Sequence, residues 1–266
     1  MGNSHRSSHF IQINYLILSK TFYNMEERTV SEAIAYRRSV RVYKEETIDS
    51  EKVKHCIKNA ILAPTSSNMQ LWEFYHITDA ATLKKMTAAC LDQNAAKTAQ
   101  QLVVVVTRRD LWKKRRQANI EFLKNVYGNK DETEYTRREK FAINYYKKLI
   151  PTVYFDIIGI LGWLKYIFFN IIGLFRPVYR QVRRSDLRIV AHKSAGLAAQ
   201  NFMISMAAIG YDTCPMEGSD TLRVKRILNL PYGAEINMVI GCGLKDDKGI
   251  YGPRFRVPFE QVYFKK

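Results

Sequence analysis

The chain is predicted to be an α+β protein, an α/β-layered arrangement of sheet and helices, in one domain that carries a large insertion. Three observations support this. Short runs that read as strands are interleaved with several long helical runs, the pattern of a sheet covered by helices. Leu102–Thr107 contains four consecutive valines, which suits a strand buried on both faces and therefore central in its sheet. Leu187 to Ile209 is long and rich in small residues, namely Ala191, Ala195, Gly196, Ala198 and Ala199. Small side chains allow close approach, so this reads as a central or interface helix.

The remaining elements follow in chain order. Residues 1–24 are polar and rich in Ser, His and Asn, with a short broken apolar run. They make a poor signal peptide and read as a disordered tail, or as an over-extended start with Met25 as the initiator. Val30 to Arg38 is predicted helical, capped by Thr29 or Ser31. Asp49-Ser50 caps a second helix over 51–62, whose Val53, Cys56, Ile57, Ala60 and Ile61 recur at helical spacing before Pro64 ends it. Trp72–Thr78 alternates aromatic and polar residues as a strand would. Residues 110–148 are charged and helical in pattern, and Gly210 closes the long helix that follows. Ile236–Ile240 reads as a buried strand ending in Gly241-Cys242-Gly243. That GxG opens no helix and carries no weight as a dinucleotide motif. The domain is placed at 25–266, with an insertion at 110–186.

Composition excludes several classes. With 47% hydrophobic residues the chain is not globally disordered. Its net charge is +17, but residues 108–188 hold 19 basic against 8 acidic side chains. A surplus concentrated in one segment argues against a nucleic-acid-coating protein. Cys56, Cys90, Cys214 and Cys242 form no CxxC pair, and the five histidines are scattered. Neither a disulfide framework nor a metal site is expected, and a reducing, cytoplasmic setting fits.

Four segments carry chemistry. Arg37-Arg38-Ser39-Val40-Arg41 follows the first helix. In extended backbone Arg37, Ser39 and Arg41 share one side, and guanidinium forks grip phosphate. Ala63-Pro64-Thr65-Ser66-Ser67-Asn68-Met69-Gln70-Leu71-Trp72 joins a helix to a strand with many short hydrogen-bonding side chains. Cys214-Pro215-Met216-Glu217-Gly218 ends at a glycine that lets backbone N–H groups face a ligand. Pro253-Arg254-Phe255-Arg256-Val257-Pro258 supplies two more arginines on one side.

In this order and spacing the segments resemble the nitroreductase superfamily, over roughly residues 28–110 and 187–264. Leu71 stands where many members have proline. The resemblance implies a central mixed sheet surrounded by helices, in an intertwined homodimer with FMN at each subunit interface. It implies that Arg37, Arg38, Ser39 and Arg41 contact the FMN phosphate, ribityl chain and N1/O2 edge. Pro64, Thr65, Ser66, Asn68 and Gln70 would lie along the flavin, with Met216 and Gly218 beside it. Two residues receive catalytic roles: the Glu217 backbone N–H faces flavin N5, and Arg41 places positive charge near N1. Arg254 and Arg256 would close on the phosphate. The activity implied is that of an FMN-dependent NAD(P)H oxidoreductase, passing hydride in ping-pong fashion to a nitroaromatic, quinone or similar acceptor. The alternative is a non-catalytic flavin-binding protein or a membrane-surface binding module.

The apolar block 149–175, within the insertion, has 19 apolar residues out of 27 and only Asp156 and Lys165 charged. As a spanning helix it would hold Lys165 near the bilayer centre at a cost near ~3 kcal/mol. Wound as one helix it places Asp156, Gly159, Gly162, Lys165, Asn170 and Gly173 on one half and Ile157, Ile160, Leu164, Phe168 and Ile171 on the other. That asymmetry suits a helix lying in an anionic membrane surface, which would make the protein peripheral on the inner face. The alternative is an apolar lid that packs over the flavin or across the dimer and binds no lipid.

Overall fold

The computed structural model describes residues 27–156 and 159–266. The reading of residues 1–24, and Ile157 of the apolar block, fall outside the described residues. Helix α1 spans Val30–Tyr36 and is started by Thr29. The Thr29 hydroxyl accepts from the Glu32 N–H at 3.4 Å, while the Glu32 carboxylate accepts from the Thr29 N–H at 2.8 Å, so two amides at the helix start are satisfied reciprocally. Helix α2, Ser50–Ala60, begins where the Asp49 carboxylate accepts from the Glu51 N–H, and it stops short of Pro64. Then come strand β1 (Trp72–Ile77), helices α3 (Ala80–Ala89) and α4 (Asn94–Lys97), and strand β2 (Gln101–Thr107).

Residues 110–186 supply α5 (Trp112–Val126), α6 (Arg137–Asn144), a π-turn at Tyr145–Leu149, α7 (Ile150–Tyr154) and α8 (Ile160–Ile172). The long helix α9 (Arg184–Ala208) leads into β3 (Asp212–Met216), α10 (Thr221–Ile227) and β4 (Glu235–Gly243). The sheet order is β1-β2-β4-β3, and every neighbouring pair of strands is antiparallel. The sheet of the described residues is therefore antiparallel rather than mixed, and the one parallel contact at its β3 edge is an isolated bridge from Ser39 to Thr213.

β2 is buried at every position and lies between β1 and β4, as its valines predict. Val103 and Val105 face one layer, where they meet Val53, Cys56, Ala195, Ala198, Ala199 and Phe202. Leu102, Val104 and Val106 face the other, with Met86, Ala89 and Val224. Each large side chain so buried contributes about 1.5–3 kcal/mol. The small residues of α9 are thus central: they let the helix lie close against its own sheet. A different face of α9 leaves Ile189 and Leu197 exposed. Gly210, at φ +84°, ends the helix as a left-handed cap.

Gly241 and Gly243 have a packing role. A Cβ on Gly241 would overlap the backbone carbonyl of Ala95, and one on Gly243 would come within 2.8 Å of the Tyr43 ring. Gly241→Ala is expected to cost about 1–3 kcal/mol, the usual range for overpacking. The measurement is the urea midpoint, and an unchanged midpoint would mean that the strand yields freely.

The apolar block 149–175 is not one helix. α7 ends at Tyr154, and α8 starts after Gly159, which has φ +88°. The two-sided division nevertheless holds within α8. Gly162 is buried, and Lys165 and Asn170 are half-buried, whereas Ile160, Leu164, Phe168 and Ile171 are exposed. At 13 residues, α8 is about 20 Å long. Among the described residues no helix is long and apolar enough to cross a membrane.

Candidate functional site

The arginine segment leaves α1 in extended backbone. Val40 is fully buried and its N–H donates to the Thr213 carbonyl at 3.1 Å, while the Arg41 N–H donates to Gly249 at 2.7 Å. Burying Val40 turns Ser39 and Arg41 to the outer side, where both are exposed. The second arginine pair arrives from the chain end. Arg254 donates to the carbonyls of Ala35 and Arg37 at the end of α1, and Arg38 donates to the Gly252 carbonyl at 2.6 Å. Arg38 and Arg254 therefore tie the two basic segments together.

Burial, then the charges of Arg254 and Arg256, push the half-buried Arg37 guanidinium below its ordinary pKa. None of Arg37, Arg38, Arg41, Arg254 and Arg256 has an ion-pair partner among the described residues. Cations crowded without a carboxylate are electrostatically costly, and a bound anion would relieve that cost.

Beside them lies a cavity of about 220 Å³, lined by Arg41, Cys214, Pro215 and Met216. Gln93, Asn94 and Tyr251 complete it. Arg41 stands 5.5 Å from the Tyr251 ring centroid, Asn94 donates to the Tyr251 hydroxyl at 3.0 Å, and Gln93 donates to the Gly218 carbonyl at 2.6 Å. Burial raises the Cys214 thiol above its ordinary pKa, against the pull of Arg41 and Arg37, so it stays neutral. Glu217 and Gly218 are exposed at the rim. The first, third and C-terminal segments thus meet in one place. Sequence reasoning missed Gln93, Asn94 and Tyr251. The polar turn Leu91-Asp92-Gln93-Asn94 was the available signal, and it has no residue type that demands a ligand.

The second segment lies elsewhere. Three non-glycine residues within four positions, Ser67, Asn68 and Gln70, have φ near +50°. Such backbone costs of order 1–3 kcal/mol per residue and gathers at functional sites. Residues between 119 and 146 hold it in shape. The Ser67 and Tyr145 hydroxyls are 2.6 Å apart, Tyr146 donates to the Ser67 carbonyl, and Asn68 and Asn119 exchange hydrogen bonds at 2.9 and 3.0 Å. Thr65 accepts from the Gln70 N–H, and Ser194 of α9 accepts from the Ser66 N–H at 3.5 Å. The arginine segment pairs instead with Thr213, just past the other end of α9: Ser39 bridges to it and the Val40 N–H donates to its carbonyl. The two groups are therefore separated by about 20 Å along the helix. An apolar cavity of about 530 Å³ opens against Ser66 and Ser67, walled by Leu149, Ile150, Val153 and Phe169.

Fold and site define a helix-wrapped antiparallel sheet with a cluster of arginines, unpaired among the described residues, at its β3 edge. The chain belongs to the Nitroreductase family, whose model matches residues 34–244. Protein DrgA of Synechocystis is 26% identical over 81% of this chain and 84% of its own. A Bacillus subtilis protein named as a putative NAD(P)H nitroreductase, MhqN, is 22% identical over 80% of this chain and 87% of its own. A putative nitroreductase from Exiguobacterium sibiricum, solved in complex with FMN, superposes with a TM-score of 0.61 at 22% identity. That superposition covers 91% of this chain and 99% of the other.

Proposed function

We propose that the protein is an FMN-dependent NAD(P)H oxidoreductase that passes hydride in ping-pong fashion to a nitroaromatic, quinone or similar acceptor. The observation that carries this reading is the set of guanidinium groups without carboxylate partners, beside Met216 and the Glu217–Gly218 rim. A phosphate monoester needs several charge-assisted donors at once, and Arg37, Arg38, Ser39, Arg254 and Arg256 are the donor set that fits. Bound FMN would take up and return hydride at N5. Arg41 would supply positive charge on the N1 side, and the Glu217 N–H would orient N5.

Pro64, Thr65, Ser66, Asn68 and Gln70 lie too far along α9 to complete the same site within one chain. Their distance supports a homodimer in which this loop serves the partner's flavin, and the apolar cavity beside Ser66 then suits the acceptor. Purified protein should release FMN on denaturation. Varying NAD(P)H and a quinone acceptor should give parallel double-reciprocal lines. Intersecting lines would overturn the single shared pocket, and absence of any flavin would overturn the assignment.

We also propose that α8 lies on an anionic membrane surface. Its row of exposed apolar side chains supports this, as do Lys148, Arg176 and Arg184, which have no side-chain partner among the described residues. Each cation near such a surface contributes roughly 1 kcal/mol.

A further inference from the structure

A cavity of about 660 Å³ opens where α9 begins, and none of its lining residues is among those proposed to bind FMN. Five cations line it: Arg109, Arg183, Arg184, Arg188 and Lys225. Among the lining residues Glu235 is the one acid, and it is already engaged by Arg188 and by His192 at 3.2 Å. Arg183 is closed in a two-point pair with Asp186, at 3.0 Å on both nitrogens. Three charges then remain without full compensation. Arg109 reaches Glu235 only at 3.9 Å and gives a hydrogen bond to the Arg184 carbonyl. Lys225 gives one to the Tyr232 carbonyl. The Arg184 guanidinium has no hydrogen bond or ion pair among the described residues. The positive end of a 25-residue helix adds to the same field. Asp110 and Asp156 line an adjoining cavity that shares Arg109 and Arg184, so an added anion is better accepted on the outer side, where the exposed Trp163 lines the cleft.

The outer side is where the apolar row of α8 begins. Trp163 lines the cavity and is 57% exposed. It stands in the same row as Ile160, Leu164, Ile167 and Phe168. The Arg183 guanidinium lies 5.5 Å from its ring centroid. Tryptophan is the side chain that settles at the boundary between headgroups and acyl chains, and here it marks where a basic cleft meets an apolar helix face. A ligand that satisfied both would carry a compact anion at one end and a hydrocarbon chain at the other. Three uncompensated cations favour a dianion over a monoanion, hence a terminal phosphate over a phosphodiester.

We propose that this cleft binds the phosphomonoester headgroup of a membrane lipid, with the chain alongside α8. The proposal rests on the membrane-surface reading of α8. The test is sedimentation of the full chain with phosphatidylcholine vesicles containing either phosphatidic acid or phosphatidylglycerol, matched for surface charge. Wild type is expected to bind the phosphatidic acid vesicles at least about tenfold more tightly. The double variant Arg184→Gln/Lys225→Gln should lose that preference and bind both vesicle types about equally, while keeping its flavin content and circular dichroism. Leu164→Glu/Phe168→Glu should lose binding to both vesicle types. Equal binding of wild type to both vesicle types would overturn the headgroup site and leave the surface reading standing. No binding to either would overturn both. Inorganic phosphate, titrated without vesicles, separates the two sources. If it binds the wild type and not the double variant while the vesicle preference is absent, the cleft takes a soluble phosphate and the lipid proposal is wrong.

Discussion

Arg37→Ala is expected to weaken FMN binding by about 1.5–3 kcal/mol, the range for a hydrogen bond to a charged group, or roughly 10- to 150-fold in Kd. Arg37 is half-buried and crowded by Arg254, Arg256 and Arg38, with burial the larger penalty on its charge. A phosphate dianion among these groups would turn mutual repulsion into attraction. The same crowding sets a second expectation. Without ligand, Arg37→Ala removes a like-charge contact, so the apoprotein should be as stable as wild type or slightly more so. Arg254→Ala should lose FMN affinity by a similar factor, but it also frees the Ala35 and Arg37 carbonyls that Arg254 caps, so its apoprotein should be less stable. The rise in Tm on adding FMN reports the affinity through linkage. Equal Kd values in wild type and both variants would show that these arginines only pack the chain end.

That experiment turns on residues that stand out in the sequence, because arginines at alternating positions suggest a phosphate grip by residue type alone. The central strand and the long helix were legible for a similar reason. Four valines in a row and a stripe of alanines leave few other arrangements. Other features were hidden by context. α3 begins at Asp79, whose carboxylate accepts from the Thr82 N–H, yet in the sequence the same aspartate reads equally as a strand end. β3 contains Pro215, which weakens any strand assignment, but β3 is an edge strand and tolerates it. The apolar block reads as one helix because helical periodicity registers neither the extended Phe155, where α7 stops, nor the left-handed Gly159, where α8 starts. The strain at Ser67, Asn68 and Gln70 left no trace in composition either, since it is imposed by Tyr145, Tyr146 and Asn119 from a segment some 50 to 80 residues away.

Ending the chain at Tyr251 is expected to abolish both dimerisation and FMN retention. Residues 251–266 are exposed throughout, yet they carry Phe255, Val257, Phe259, Val262 and Phe264. A row of large apolar side chains in water is unfavourable and marks a surface that pairs with something. Within the chain this arm is held by side-chain hydrogen bonds, mainly from arginines to carbonyls, and its Phe259 and Tyr263 stack only on each other, at 4.7 Å. None of these buries the apolar row. Matching apolar positions remain open elsewhere: Val30 and Ile34 on α1, Ile61 and Leu62 after α2, and Ile189 and Leu197 on α9. A second copy would cover both sets at once, with each buried large side chain contributing about 1.5–3 kcal/mol before the cost of association. Size-exclusion chromatography of the intact chain should show a dimer, and the shortened chain should run as a folded monomer without flavin. Arg254→Ala/Arg256→Ala separates the two roles of the arm, because it removes the cations and keeps the apolar row. That variant should stay dimeric and lose FMN. If the shortened chain is still a dimer, the arm does not hold the subunits together, and the exposed faces of α1 and α9 must do so unaided.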